Sequence, residues 1–135
     1  FSEMHYRYPD RVGLTIGFVP ELSKKIYAGA DMFLMPSQSE PCGLAQMIAL
    51  RYGTIPIVRE TGGLRDSIHD AGDKSGNGFT FKSYNAHDML DAVVRARAYY
   101  DDKMKWGRLV NTALKQNFSW TKSAKDYIAL YNDIH

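Results

Sequence analysis

The sequence has few residues of the kinds that bind metals or form disulfides. Its single cysteine, Cys42, excludes an internal disulfide and argues against a metal cluster. The four histidines lack the spacing of metal ligands, and they are His5, His69, His87 and His135. We therefore predict that the chain binds no metal.

Strong charge and long apolar runs are also missing. The formal net charge is only +2, which argues against a nucleic-acid-binding surface. No apolar run approaches the ~20 residues that a membrane-spanning helix needs, and no signal peptide is visible. We therefore predict neither nucleic acid nor a membrane as a partner.

The length and composition suit one globular domain. The chain has 135 residues, of which 44% are hydrophobic and 24% charged, and this is ordinary for a domain with a modest core. It starts at Phe1 rather than at a methionine. We therefore expect it to be a piece of a longer protein.

Strand patterns alternate with helix patterns along the chain. The predicted strands are Val12–Phe18, Met32–Met35, Ile55–Val58 and Gly78–Phe81. Predicted helices begin at Pro20 and Pro41, the second ending near Tyr52, and a loop that becomes a short helix spans Thr61–Ile68. After a polar loop at Asp70–Gly78, three helices cover about residues 86–134, starting at Asn85, Asp102 and Thr121. This alternation predicts an α/β fold with a Rossmann-like parallel sheet flanked by helices.

The stretch from Phe33 to Leu50 has the pattern of a buried strand, a loop and a helix. Pro41 suits a first helical turn. Because the first amides of a helix lack intrahelical partners, those of Gly43, Leu44 and Ala45 suit a phosphate. Glu40 is placed to accept hydrogen bonds from sugar hydroxyls, or it simply caps the helix.

Three loops follow the predicted strands at their carboxyl ends, where open parallel sheets bind ligands. These loops place Phe18, residues 40–45 and residues 61–64 on one rim of the sheet. We therefore predict that the rim formed by these three segments is the ligand site.

The motifs around this rim resemble those of a known family. They are Pro36-Ser37, Glu40-Pro41-Cys42-Gly43-Leu44, Gln46, Arg51-Tyr52-Gly53-Thr54, Pro56, Val58 and Thr61-Gly62-Gly63-Leu64, together with Ile16-Gly17-Phe18, Tyr27-Ala28-Gly29-Ala30-Asp31 and Phe118-Ser119-Trp120. Over nearly the whole chain, the sequence resembles the C-terminal nucleotide-sugar domain of bacterial glycogen synthases and plant starch synthases.

The resemblance implies the C-terminal, nucleotide-sugar-binding half of a GT-B glycosyltransferase, truncated at its N-terminal side. It implies a retaining enzyme that transfers glucose from ADP-glucose to the non-reducing end of an α-1,4-glucan, with no metal or other cofactor. It also implies a cytoplasmic location in a bacterium, or a plastid in a plant. The glucan would bind through an N-terminal domain upstream of Phe1, so we expect the isolated chain to bind ADP weakly at best and to be inactive.

The resemblance also implies roles for single residues. Glu40 would hold the glucose hydroxyls and orient the donor, while Phe18 would stack on adenine. The remaining predicted ligand-binding residues would lie around the sugar and the diphosphate, and they are Cys42, Gly43, Leu44, Ala45, Thr61, Gly62 and Gly63.

Simpler interpretations stay open for several of these residues. Phe18 is equally well explained as a cover over the core, and Thr61 as a helix cap. A nucleophilic Cys42 is disfavoured because no histidine is near it in sequence. Arg59 is interpreted as a phosphate ligand or a solvated surface residue, and Trp120, like Trp106, as a core or domain-seam anchor.

Many members of the wider superfamily carry a second glutamate where this sequence has Ile48. The synthases resembled here commonly lack that glutamate too, so this difference supports the narrower resemblance. An Arg and Lys pair that grips the diphosphate in the family would lie upstream of Phe1. Rival hypotheses are another retaining GT-B enzyme, of the sucrose synthase or mannosyltransferase type, a non-catalytic regulatory module, and an epimerase. Competition between ADP and UDP for binding would distinguish another retaining GT-B enzyme from an ADP-glucose enzyme. The substitution Glu40→Ala would distinguish a non-catalytic module.

Overall fold

Three short parallel strands run through the middle of the chain, and helices connect and flank them. The computed structural model describes residues 1–72 and 75–134. Asp73 and Lys74 of the predicted polar loop, and His135, lie outside the described residues. The helices are α1 (Ser2–Arg7), α2 (Pro20–Gly29), α3 (Ala45–Tyr52), α4 (Gly62–Ser67), α5 (Ala86–Asp101), α6 (Lys103–Leu114) and α7 (Trp120–Ile134), and the strands are β1 (Met32–Met35), β2 (Ile55–Arg59) and β3 (Phe79–Phe81).

The strands form one parallel sheet with the order β1-β2-β3. Met32 of β1 pairs with Ile55 of β2, and Ile57 of β2 pairs with Phe79 of β3. The first four residues of the central strand β2 are all buried, as expected for a parallel strand that helices cover on both faces. The predicted Rossmann-like parallel sheet is confirmed.

The hydrophobic core lies between the sheet and helices α3 to α6. The largest apolar side chains in it include Leu50, Ile55, Leu64 and Phe79, each at most 1% exposed. In the described part of the chain, no residue before Gln46 is buried, and α7 contains no buried residue either. The core is therefore built by the middle of the chain.

The predicted strand Val12–Phe18 is wrong. The segment has no strand structure, and Ile16 and Phe18 are 79% and 94% exposed. An alternating pattern forms a strand only where a neighbouring strand accepts its hydrogen bonds, and none of the three described strands pairs with this segment.

Helix α3 begins four residues later than predicted. It starts at Ala45, and Gly43 before it has a φ of 74°. A left-handed residue cannot continue a right-handed helix, so Pro41 lies in the loop rather than in the first turn. The predicted end near Tyr52 is confirmed, with Gly53 in the left-handed conformation at φ 80°.

Polar caps fix the starts of α5 and α6, within one residue of the predicted starts at Asn85 and Asp102. The Asn85 side chain accepts a hydrogen bond from the Asp88 amide, and Asp102 accepts from the amides of Met104 and Lys105. Helix α7 starts at Trp120, one residue earlier than predicted, and Trp120 is 87% exposed. A core role for Trp120 is therefore wrong, whereas Trp106 packs against the core.

None of the described helices is long and apolar enough to cross a lipid bilayer.

A polar cluster joins the residues around β3 to α5. Asp70 accepts hydrogen bonds from the Thr80 amide at 2.9 Å and from Arg95 Nη1 at 2.7 Å. Arg95 Nη2 also donates to the Thr80 carbonyl oxygen at 2.7 Å. Burial raises the pKa of Asp70, but the hydrogen bonds from Arg95, Thr80 and Gly72 outweigh it and hold that pKa below the ordinary 3.8. The ionised form of Asp70 therefore stabilises the fold.

We expect Asp70→Asn to lower the free energy of unfolding by about 1–3 kcal/mol at neutral pH, because it weakens charge-assisted bonds around a half-buried arginine. An acid whose folded pKa is depressed contributes stability above its unfolded pKa and loses it as the pH falls through the folded value. The difference between wild type and variant should therefore shrink below about pH 4. Urea unfolding at several pH values measures it.

Asp91→Asn is the matched control, since Asp91 also pairs with Arg95, at 3.1 Å, but is 70% exposed. Its effect should stay within about 0.5 kcal/mol. Equal effects of the two substitutions would contradict this account.

Candidate functional site

Two of the three predicted loops meet at the carboxyl edge of the sheet. Met35 of β1 and Val58 of β2 are paired neighbours at the ends of their strands. The loops that follow therefore lie side by side, and the Gly63 amide donates to the Glu40 carbonyl oxygen at 3.2 Å. The structure thus brings residues 40–45 and 61–64 together, as predicted.

The contact between these two loops is so close that only glycine fits. A Cβ on Gly62 would overlap the carbonyl oxygen of Glu40, and one on Gly63 would overlap that of Cys42. Gly62 also has a φ of 43°. The two glycines are thus required by packing between loops, and the Gly63 amide is occupied within the protein. A ligand role for Thr61, Gly62 and Gly63 stays a prediction.

Arg59, the last residue of the central strand β2, holds the loop after β1 in place through hydrogen bonds, and we call this its bracing role. Its Nη1 donates to the Gln38 carbonyl oxygen at 2.7 Å, and the carbonyl oxygen of Ser37 lies 3.5 Å away. The guanidinium also lies over the Tyr84 ring, 5.7 Å from its centroid. Sequence reasoning considered Arg59 only as a phosphate ligand or a solvated residue and missed this bracing role.

The amides before and at the start of α3 are available to a ligand. Within the described residues, the backbone N–H groups of Gly43, Leu44 and Ala45 donate no hydrogen bond. Leu44 is 66% exposed, so water or a ligand can reach this turn. Unpartnered amides at the positive end of a helix dipole suit an anion. These three amides are therefore available as predicted, although α3 starts later than predicted.

Glu40 precedes Gly43 by three residues, and its carboxylate is unpaired. The residue is half-buried, and no ion pair of the described residues includes it. Its carbonyl oxygen is fixed by Gly63, so its backbone position is set while its side chain stays free to bind. A free carboxylate can accept several hydroxyl hydrogen bonds.

Cys42 is exposed, and its thiol contacts the Gly43 carbonyl oxygen at 3.9 Å. In the described part of the chain, no histidine forms a hydrogen bond with this thiol. A thiol without an activating base is a poor nucleophile. The arrangement therefore favours a binding role over a covalent one.

Phe18 and Thr61 are placed differently from the expectation. Phe18 lies just before α2 and is 94% exposed, so it does not cover the core. Thr61 holds the N-cap position of α4, but its side chain makes no capping hydrogen bond. Stacking on Phe18 stays a prediction.

A groove lies beside the candidate site and reaches it at Leu44. It has a volume of about 740 Å³ and runs between α3 and the segment 114–119, with Leu44 as its one predicted site residue. The candidate site itself is an open turn of backbone amides. Within the described residues, no group of three histidine, cysteine or acidic side chains is arranged to hold a metal.

Comparisons with known proteins agree on one kind of relative. The family model described as "Glycosyl transferases group 1" matches residues 6–108. Glycogen synthases of Anoxybacillus flavithermus and Desulforudis audaxviator are 54% and 52% identical to the chain, over 99% and 98% of its length. The chain spans 28% and 27% of those relatives.

Solved structures give the same picture. The catalytic domain of starch synthase IV from Arabidopsis thaliana, described as bound to ADP and acarbose, is similar with a TM-score of 0.85 and 41% identity. That match covers 98% of this chain and 28% of the solved one. A sucrose-phosphate synthase from Thermosynechococcus elongatus has a TM-score of 0.67 at 23% identity, over 98% of this chain and 33% of the other, which is a likeness of fold alone.

We expect Gly63→Ala to lower the free energy of unfolding by about 1–3 kcal/mol, because its methyl group would force the two loops apart. Gly107→Ala is the control, since Gly107 lies in α6 with no atom within 4 Å of an added Cβ. That change should stabilise the chain by about 0.5–1 kcal/mol. Urea unfolding compares the two, and a neutral Gly63→Ala would contradict the close contact of the loops.

Proposed function

Because the chain belongs to the group 1 glycosyl transferases, we propose that it is the donor-binding part of a retaining glucosyltransferase. The donor is ADP-glucose, and the product is an α-1,4-glucan extended at its non-reducing end. The observation that carries this proposal is the row of unpartnered amides at residues 43–45, in the same loop as the half-buried Glu40.

The comparisons support the choice of donor and product. Glycogen synthases match the chain at 54% identity, and the similar starch synthase structure is described with ADP and acarbose bound. Since the chain spans 28% of both relatives, the acceptor glucan and part of the catalytic machinery are assigned to polypeptide beyond this chain. The chain alone is therefore expected to bind the donor without turning it over.

The amides have a direct chemical role in such a transfer. When the bond between glucose and ADP breaks, the departing diphosphate gains negative charge while the sugar becomes oxocarbenium-like. Preorganised donors aimed at that growing charge lower the barrier. The amides of Gly43, Leu44 and Ala45 supply such donors without needing to reorganise.

Glu40 has a separate role in the proposed site. Its carboxylate accepts hydrogen bonds from glucose hydroxyls and so fixes the sugar relative to the diphosphate. Holding the reacting atoms in a productive orientation is worth a large share of an enzymatic rate enhancement. Stacking of the adenine ring on exposed Phe18 completes the proposed donor contacts.

We propose a cytoplasmic location, because the glycogen synthase relatives are bacterial enzymes.

Calorimetric titration of this chain tests the donor assignment. We expect ADP to bind more tightly than UDP by at least about tenfold, a difference of about 1.4 kcal/mol. A chain that binds UDP equally well or better would contradict ADP-glucose as the donor and would favour another retaining enzyme of the same fold.

The role of Glu40 is tested in the longer enzyme that carries this chain. We expect Glu40→Gln to lower the rate of glucose transfer by about 10²-fold, because the site loses a charged acceptor that positions the donor. ADP affinity should change by less than about threefold, since the diphosphate contacts remain. Radiolabelled glucose incorporation measures the transfer, and a Glu40→Gln enzyme as active as wild type would contradict the positioning role of Glu40. A wild-type enzyme without transfer activity would instead favour a non-catalytic module.

A further inference from the structure

A buried glutamine lies directly beneath the candidate site. Gln46, in the first turn of α3, is 0% exposed. Its Nε2 donates to the carbonyl oxygen of Gly43 at 2.9 Å and to that of Cys42 at 3.3 Å. It also donates to Ser67 Oγ of α4 at 3.1 Å. One side-chain amide therefore holds two consecutive peptide groups and links them to the second loop.

These hydrogen bonds fix the direction of the neighbouring amides. In a trans peptide the C=O and the following N–H point in opposite directions, and the described residues contain no cis peptide. Because the carbonyls of Cys42 and Gly43 turn toward Gln46, the N–H groups of Gly43 and Leu44 turn away from it. Those are two of the three amides without a partner.

The backbone of this turn forms a concave pair of donors. Gly43 has a φ of 74°, and Leu44, which follows it, is right-handed at φ −110° and ψ −27°. Successive residues of opposite hand point their N–H groups toward a common centre, and such turns bind anions. A Cβ on Gly43 would lie 2.6 Å from Gln46 Oε1, so glycine and glutamine fit each other.

Ser67 extends the same arrangement into the second loop. Its hydroxyl donates to the Gly63 carbonyl oxygen at 2.6 Å while it accepts from Gln46. The chain of bonds therefore runs from the turn before α3, through Gln46 and Ser67, to the glycines that start α4. Gln46 Oε1 is buried and has no partner among the described residues, so the residue keeps an unfavourable buried atom to make these bonds.

We propose that Gln46 is a positioning residue for the diphosphate of the donor. It contacts no substrate atom, and it acts by turning the Gly43 and Leu44 amides outward and holding them there. The proposal rests on the proposed function, since it needs a diphosphate at these amides.

The test compares ADP with adenosine, which lacks the diphosphate. Gln46→Met keeps the size of the side chain and removes its donors. We expect this variant of the chain to lose about 10- to 100-fold in ADP affinity while its adenosine affinity stays within about threefold of wild type. Gln116→Met is the control, because the Gln116 side chain makes one 3.4 Å bond among the described residues, to the Thr112 carbonyl oxygen of the preceding helix α6. This variant should bind ADP as wild type does.

The outcomes separate the two claims. Failure to bind ADP by both the wild-type chain and the longer enzyme that carries it would overturn the proposed function together with the role of Gln46. If only the longer enzyme binds ADP, the variants are compared in that enzyme. Wild-type chain that binds ADP, with Gln46→Met binding it equally well, would overturn the role of Gln46 alone. Equal losses of ADP and adenosine affinity would show a general structural role and would also overturn it.

Gln46→Glu carries the test if Gln46→Met fails to fold. A protonated glutamate retains one hydrogen-bond donor, whereas an ionised one has none and repels the two carbonyl oxygens. Relative to wild type at the same pH, we expect ADP affinity of Gln46→Glu to recover at least about threefold between pH 8 and pH 6, as protonation of the carboxyl group restores a donor. A ratio that does not change with pH would contradict the proposal.

Discussion

The candidate site depends on a backbone contact between two loops. Parallel pairing of β1 with β2 brings the loops to one edge of the sheet, and the start of α4 then packs on residues 40–42 without room for a Cβ. Arg59 and Gln46 hold the first loop by its carbonyl groups. Because these bonds take up the carbonyl side of the peptides, the amide side is left open to a ligand. The arrangement of the amides in the candidate site is thus set by backbone geometry.

Those parts of the fold that depend on local signals could be predicted from the sequence. β2 is a short apolar run with a glycine before it, and Asn85 and Asp102 are polar caps whose side chains bind the first turns of their helices. The segment Val12–Phe18 has an equally clear alternation, yet it forms no strand because pairing is a property of two segments. The start of α3 could not be predicted either. The left-handed backbone of Gly43 delays the helix to Ala45, but the spacing of apolar residues in the sequence gives no sign of it.

The candidate site also has parts that the sequence predicts and parts that it does not. The loops at residues 40–45 and 61–64 were found because they follow neighbouring strands, and the structure brings them together. Arg59 was missed as a brace because its bond to Gln38 crosses about twenty residues of sequence, as does the bond of Gln46 to Ser67. The bonds of Gln46 to Cys42 and Gly43 are local, but they depend on the left-handed turn at Gly43. A polar residue between Ala45 and the apolar Ala49–Leu50 pair was the one available signal for Gln46. The position of Phe18 could not be predicted, because no local sequence signal fixes where an exposed aromatic residue lies.

The most direct measurement of the central claim is the shift of single backbone amide signals in a ¹H–¹⁵N spectrum of the chain as ADP is added. The account predicts that the amides of Gly43, Leu44 and Ala45 shift most, because they bind the diphosphate, while the already bonded amide of Gly63 shifts less. ADP that binds without moving the signals of residues 43–45 would contradict the claim that these outward-facing amides are the diphosphate site.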